Sequence, residues 1–283
     1  MCPALSPKRA CVLCGARSAD LFQEADGPYR VVQCKQCTLV YVDPLPPQTE
    51  LEHHYDEAYY SEWISSQRVP RERLWHDRLD ELRQYNKKGR LLDVGCGDGT
   101  FLRFARESGF EVYGTEISAY ARERIEKLYS IAVFKGGLHG AEYPSEYFDV
   151  VTLYHVIEHV DDPVRYLSET HRILRDGGLL VVACPNVKSY VFNLAYLLFK
   201  GKRFQLFSTH DKEIHLYHFS AHTLRMLLKN NGFSLLSLGV DDPSVDPRKR
   251  IVESLAQGIY NLTGKNWTMA MKAFATKGCS EKV

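Results

Sequence analysis

Residues 91–102 read Leu-Leu-Asp-Val-Gly-Cys-Gly-Asp-Gly-Thr-Phe-Leu, and no other stretch restricts the fold so tightly. A short apolar strand runs into a turn with glycine at every second position, and a helix leaves it. Glycine lets a backbone bend sharply and approach a ligand without a Cβ in the way. The spacing is Gly-x-Gly-x-Gly, with Gly95, Gly97 and Gly99. Thr100 occupies the last position of the dinucleotide-type Gly-x-Gly-x-x-Gly pattern, and the lysine of a phosphate-binding P-loop is missing. The next expected strand, Val112-Tyr-Gly-Thr-Glu116, ends in an acid. A carboxylate at that strand end suits the two hydroxyls of a ribose.

The surrounding pattern alternates. Strands are expected at 90–94, 111–115, 131–134, 148–153 and 178–183, and helices at 100–108, 118–128 and 163–174. Ser118 suits an N-cap, Pro163 a first helical turn, and Gly177-Gly178 the end of a helix. Such alternation builds right-handed βαβ units on a parallel sheet. A helix at 220–230 and strands at 233–240 and 268–276 complete the expected elements. Upstream, Leu74, Trp75, Leu79, Leu82 and Tyr85 share one face of an amphipathic helix over 70–86.

The amino-terminal end carries two Cys-x-x-Cys pairs, Cys11/Cys14 and Cys34/Cys37, nineteen residues apart. Four thiolates at this spacing fill a tetrahedral zinc shell and leave no open position, which describes a structural metal. A segment of about 40 residues buries too little to fold unaided, so the metal would supply folding energy. The segment ends at Asp43-Pro-Leu-Pro-Pro47, a stiff linker. The expected division is a zinc-ribbon-like segment at 1–42, linker and helix at 43–87, and a cofactor-binding domain at 88–277.

The glycine loop and the acid that follows it resemble motif I of the class I S-adenosylmethionine-dependent methyltransferases. Phe148-Asp-Val-Val-Thr-Leu-Tyr-His155-Val-Ile-Glu158-His159-Val resembles that family's fourth strand and following loop, and Leu174–Asn186 its helix–turn–fifth-strand unit. His215-Leu-Tyr-His218-Phe-Ser220 with Gly232-Phe233 resembles members acting on small molecules. Paired amino-terminal cysteines followed by a proline-rich link occur in a subgroup related to sugar C-methyltransferases and quinol O-methyltransferases.

The resemblance implies a Rossmann-like α/β fold of seven strands, six parallel and the last inserted antiparallel, beside the small zinc ribbon. It implies an enzyme that moves a methyl group from S-adenosylmethionine to an oxygen, carbon or nitrogen of a small acceptor. The cofactor set would be Asp93, Gly95, Cys96, Gly97, Gly99, Glu116, Ile117, Leu138 and His155. Asp93 would organise the loop and the methionine end, and Glu116 would bind ribose. The family's acid after the third strand is replaced by Gly136-Gly-Leu-His139, so adenine contacts fall to backbone. His215 and His218 follow the fifth strand on the active edge of a parallel sheet, where a neutral imidazole can accept a proton. The string His155-x-x-Glu158-His159 also spells a metal motif. That reading is discounted, because these residues leave a strand end instead of lying on a helix, and the methyltransferase resemblance already accounts for them.

Charge frames the partners. The net charge is +1, and residues 1–40 hold five basic against three acidic residues, a weak field for phosphate. This counts against the alternative of an RNA or protein methyltransferase that uses the ribbon as a reader. Residues 189–212 balance at +3 and 248–277 at +5 (six basic residues against Glu253). The apolar run Tyr190–Phe199 before Lys200, Lys202 and Arg203 reads as a helical lid, for an anionic or amphiphilic acceptor or a membrane surface. No signal peptide or membrane-length apolar run is present, and the expected compartment is the cytoplasm.

Overall fold

The computed structural model describes residues 7–47, 72–241 and 247–278. Residues 70–71 of the expected helix lie outside this set.

Two sheets carry the described residues. The larger has seven strands: β4 (Gly89–Val94), β5 (Phe110–Glu116), β6 (Phe134–Lys135), β7 (Phe148–Tyr154), β8 (Leu174–Pro185), β10 (Phe233–Asp241) and β11 (Ala270–Lys277). Their order is β10-β11-β8-β7-β4-β5-β6. The neighbours from β8 to β6 pair in parallel, and β11 pairs antiparallel with both β8 and β10. This is the expected Rossmann-like methyltransferase arrangement. The apolar alternation of the last strand is buried on both faces, because β11 sits inside the sheet.

The smaller sheet is antiparallel, in the order β1-β2-β3-β9, with β1 at Ala19–Glu24, β2 at Arg30–Cys34, β3 at Val40–Asp43 and β9 at Tyr217–His218. Its fourth strand comes from far down the chain: Val40 pairs with His218 and Tyr41 with Tyr217. Arg9 reinforces the junction, donating to the Tyr217 hydroxyl at 2.7 Å and the Val42 carbonyl at 2.8 Å.

Helix ends follow from local chemistry. Among the described residues the first helix, α1, covers 72–85. Helix α2 (Thr100–Glu107) buries Phe101, Leu102 and Phe104. Ser118 caps α3 (Ala119–Tyr129) by accepting from the Ala121 N–H. Asp162 caps α4 (Pro163–Ile173), with Pro163 at its first position. Helices α5 (Tyr190–Lys200), α6 (Ala221–Asn230) and α7 (Pro247–Thr263) complete the set. Ser220 and Thr223 form a reciprocal capping box at α6.

Three details depart from the sequence pattern. The strand expected at 131–134 is reduced to Phe134–Lys135. Gly177-Gly178 do not follow a helix end at a distance; β8 already begins at Leu174, and the register slips so that Phe148 faces Leu174 while Val150 faces Leu179. Gly177 has φ +71°, and a Cβ on Gly178 would stand 2.7 Å from the Arg175 carbonyl oxygen, so the glycines shape a bulge. Helix α7 carries no strong periodic signal and went unread.

One apolar layer joins ribbon and sheet, with Val31, Val40 and Val42 in the same cluster as Leu92, Ile157 and Leu224. The other packs Leu79 and Leu82 of α1 and Phe101 and Phe104 of α2 on Leu91, Val150 and Val181. Tyr85, at the end of the α1 stripe, stacks on Phe274 at 4.6 Å.

The Ser220 cap holds the strand–helix corner just after His218. Ser220→Ala is expected to cost about 1 kcal/mol. A denaturant titration would show a lower midpoint at unchanged slope.

Candidate active site

The β4–α2 turn depends on its three glycines. Gly95, Gly97 and Gly99 have φ of +66°, +56° and +74°. A Cβ on Gly95 would lie 2.8 Å from Val156, and one on Gly99 would lie 2.7 Å from Ile125. Gly95 and Gly99 are therefore required by conformation and by close approach together, and Gly97 by conformation.

Two acids flank the turn. Glu116, 3% exposed at the end of β5, accepts from the Gly97 N–H and the Ser118 N–H, each at 2.9 Å. Each carboxylate oxygen can accept more than one hydrogen bond, so this anchoring is compatible with a hydroxyl donor from a ligand. Asp93, 3% exposed at the end of β4, takes the Thr152 hydroxyl at 2.6 Å. Burial raises its carboxyl to about 7, against the opposing pull of the Thr152 hydrogen bond and of Arg78.

The remaining expected cofactor residues divide by exposure. Ile117 is exposed beside Glu116 and offers an apolar surface. Leu138 is fully buried at the start of a one-turn helix, so only its backbone can face a ligand. Cys96 is buried behind the loop, and burial pushes its thiol well up, which describes an inert small residue. These residues fit the adenosyl cofactor: a turn with glycines where a Cβ would clash at Gly95 and Gly99, an acid at the second strand end and an exposed apolar neighbour.

His155 has a different role from the loop residues. It takes φ +56° at the end of β7, and its Nε2 lies 3.3 Å from Asp241 and 3.2 Å from Arg78. Its Nδ1 lies 3.5 Å from Glu158. Burial works to lower this histidine, but the Asp241 and Glu158 carboxylates overcome it and raise it to about 9. Arg78 binds both oxygens of Asp241 and lies over the rings of Trp75 and Tyr154 at 4.7 and 4.5 Å. Lys272 reaches Asp241 at 3.4 Å and also pairs with Glu81. Burial would raise Asp241, but Arg78, His155 and Lys272 hold it well below the carboxylate range. This ion cluster was missed in the sequence. Its signal was Arg78, a charge on the apolar stripe between Trp75 and Leu82.

His215 and His218 lie at the expected edge. The His215 ring is 4.7 Å from His159 and 6.2 Å from His218. Burial lowers both, His218 to about 4 and His215 well below its ordinary value, so both rings stay neutral. Glu158, His159 and His215 offer ligand atoms within 4.8 Å of one another.

The four ribbon cysteines also meet, again within 4.8 Å. Cys11 and Cys37 sulfurs are 3.5 Å apart, as are those of Cys14 and Cys34. That is too long for a disulfide. It is close to the roughly 3.8 Å edge of a tetrahedron with 2.3 Å zinc–sulfur bonds.

A family model described as a methyltransferase domain matches residues 66–238, more than half of the chain. The chain belongs to the methyltransferase-domain family. The seven-stranded Rossmann-like sheet described above agrees with that family. The ubiquinone biosynthesis O-methyltransferase of Ruegeria pomeroyi is 36% identical over 112 residues, which are 36% of this chain and 44% of that protein. The protein of the same name from Parvibaculum lavamentivorans is 34% identical over 115 residues, 36% and 44% of the two chains. The chain spans about half the length of the curated relatives it matches. A methyltransferase structure from Archaeoglobus fulgidus superposes with TM-score 0.54 at 24% identity, covering 77% of this chain and all of the other. At that identity the likeness speaks for the fold.

Asp241→Asn removes the anion from between Arg78, His155 and Lys272. Loss of one partner from a buried ion pair is expected to cost about 3 kcal/mol. Equilibrium unfolding in urea measures it.

Proposed function

We propose that this chain transfers the methyl group of S-adenosylmethionine to a small-molecule acceptor, with a structural zinc in its amino-terminal ribbon. The observation that carries the reading is the Gly97 N–H bound to Glu116, which locks the glycine turn to the acid expected to meet ribose. When bound, the cofactor supplies an electrophilic methyl on a sulfonium, and the leaving product is neutral S-adenosylhomocysteine. Glu116 would hold the ribose and Asp93 would order the turn at the methionine end. Gly95, Gly97 and Gly99 would let the backbone approach, and Ile117 would cover an apolar ring face. Cys96, Leu138 and His155 would support this set from behind. Much of the remaining catalysis is orientation of the acceptor and exclusion of water.

His215 and His218 are the proposed polar contacts for the acceptor. As neutral rings they accept a hydrogen bond and store a proton poorly, so proton release to solvent completes the reaction. Small acceptors are favoured by the ubiquinone O-methyltransferase relatives and by α5. That helix leaves Tyr190, Leu194, Leu198 and Phe199 exposed just before Lys200. Such a surface suits an amphiphilic or anionic acceptor, or contact with an anionic membrane. No helix among the described residues is long and apolar enough to cross a membrane. The reader alternative draws no support from the ribbon, whose third strand is already paired with β9.

Calorimetry with S-adenosylhomocysteine tests the cofactor reading. Glu116→Ala is expected to weaken binding at least tenfold, and absence of binding to folded wild-type protein refutes the reading. The pH dependence has a definite sign. Asp93 is raised above its unfolded value, so it favours the folded state at low pH and loses that contribution as pH rises from about 4 to about 7. A cationic cofactor end favours ionised Asp93. Affinity should therefore climb with pH and level off above about 7, and Asp93→Asn should flatten the climb.

Zinc is tested by metal analysis of the purified chain. One equivalent should fall below half in Cys37→Ser, and chelation should lower the unfolding temperature. Full folding without any metal would remove zinc from the proposal.

A further inference from the structure

The string His155-x-x-Glu158-His159 was set aside because it leaves a strand rather than running along a helix. The fold supplies what the string lacks, a ligand from another part of the chain. Glu158 and His159 lie in the turn after β7, and His215 lies just before β9. Three hydrogen bonds hold these segments together. Leu216 N–H and Tyr217 N–H donate to the Glu158 carbonyl at 2.8 and 3.2 Å, and His159 Nδ1 donates to the Ile214 carbonyl at 2.8 Å. The last bond leaves His159 Nε2 as the ring's lone-pair atom, and it stands 4.0 Å from Glu158 Oε1. A backbone carbonyl behind Nδ1 is the usual way a protein fixes the tautomer of a ligating histidine.

A second observation concerns Glu158 itself. Its side chain is 1% exposed, and neither carboxylate oxygen accepts a hydrogen bond. The nearest cationic group, His155 Nδ1, approaches Oε1 to 3.5 Å as an ion pair. A carboxylate removed from water in this way ordinarily takes several hydrogen bonds or a metal. Ligand bonds of 2.0–2.2 Å place donors roughly 3–3.5 Å apart. The cluster's atoms, all within 4.8 Å of one another, thus need side-chain closure of at most about 1.8 Å.

We propose that Glu158, His159 and His215 bind a divalent transition-metal ion, distinct from the ribbon zinc, that receives a hydroxyl of the methyl acceptor. Two imidazoles and one carboxylate select such an ion over calcium or magnesium and leave coordination positions open. The location fits the role. Val156, two residues before Glu158, packs against Gly95 of the cofactor turn, so the cluster lies on the edge where the methyl donor binds. An acceptor hydroxyl held there loses its proton to solvent. Its oxygen forms the new O–C bond as the S–C bond of the sulfonium breaks, with both electrons of that bond going to sulfur. The acceptor is accordingly a hydroxylated compound and the reaction an O-methylation. This assignment of a role rests on the methyltransferase reading; the binding site itself does not.

The test uses Co2+ on the full chain, with ribbon zinc counted separately by metal analysis. One Co2+ per chain should be retained after dialysis, without zinc loss and without the intense sulfur-to-cobalt absorption of a thiolate site. His159→Ala, His215→Ala and Glu158→Gln should each weaken retention at least tenfold, and His222→Ala, on the exposed face of α6, should leave it unchanged. Circular dichroism and S-adenosylhomocysteine titration of each variant show which ones remain folded. Two results would overturn the proposal: no Co2+ beyond that displacing ribbon zinc, or retention unchanged in folded His215→Ala. If Co2+ binds as described but S-adenosylhomocysteine does not, the metal site stands and the methyl-transfer role falls.

Discussion

A backbone turn whose two outer glycines, Gly95 and Gly99, have no room for a Cβ is the constraint on which the remainder of the site rests. Gly95 is pressed by Val156 from the β7 side and Gly99 by Ile125 from α3, so the turn is clamped between two neighbouring elements. Clamping fixes where the Gly97 N–H points, and that N–H in turn fixes Glu116. The acid is therefore positioned by the loop it serves. Since Val156 also begins the segment bearing Glu158 and His159, one steric contact sets the glycine turn and the proposed metal cluster in register.

Charge is handled differently on the two sides. Around Glu116 and Asp93 the partners are backbone N–H groups and a hydroxyl, which leave the acids available to a ligand. Around Asp241 the partners are Arg78, His155 and Lys272, which satisfy it completely. The first arrangement suits binding and the second suits rigidity. His155 closes the ion cluster with one nitrogen and faces Glu158 with the other.

What could be read in the sequence was whatever local pattern decides. The Gly-x-Gly-x-Gly turn, Glu116, the Ser118 and Pro163 signals and the cysteine pairs all act within a few residues, and all fell where expected. What escaped depends on partners distant in the chain. Asp241 is an ordinary strand-end acid until Arg78 is seen against it, 163 residues away. The pairing of Val40 with His218 is invisible to periodicity, because a two-residue strand has no period. The Gly177-Gly178 pair was read as a helix stop, yet a bulge and a helix stop make the same demand for positive φ.

The β3–β9 pairing gives the ribbon a part in events it does not touch. Tyr217 and His218 are held by a strand whose own end abuts the cysteine cluster, with Cys37 three residues before Val40. Free energy cannot flow one way through such a joint. If zinc steadies β9 and thereby the segment of His215, then whatever engages that segment must tighten the hold on zinc by the same factor. The affinity of the ribbon for its metal would thus be a reporter of acceptor occupancy, legible at a distance from the chemistry.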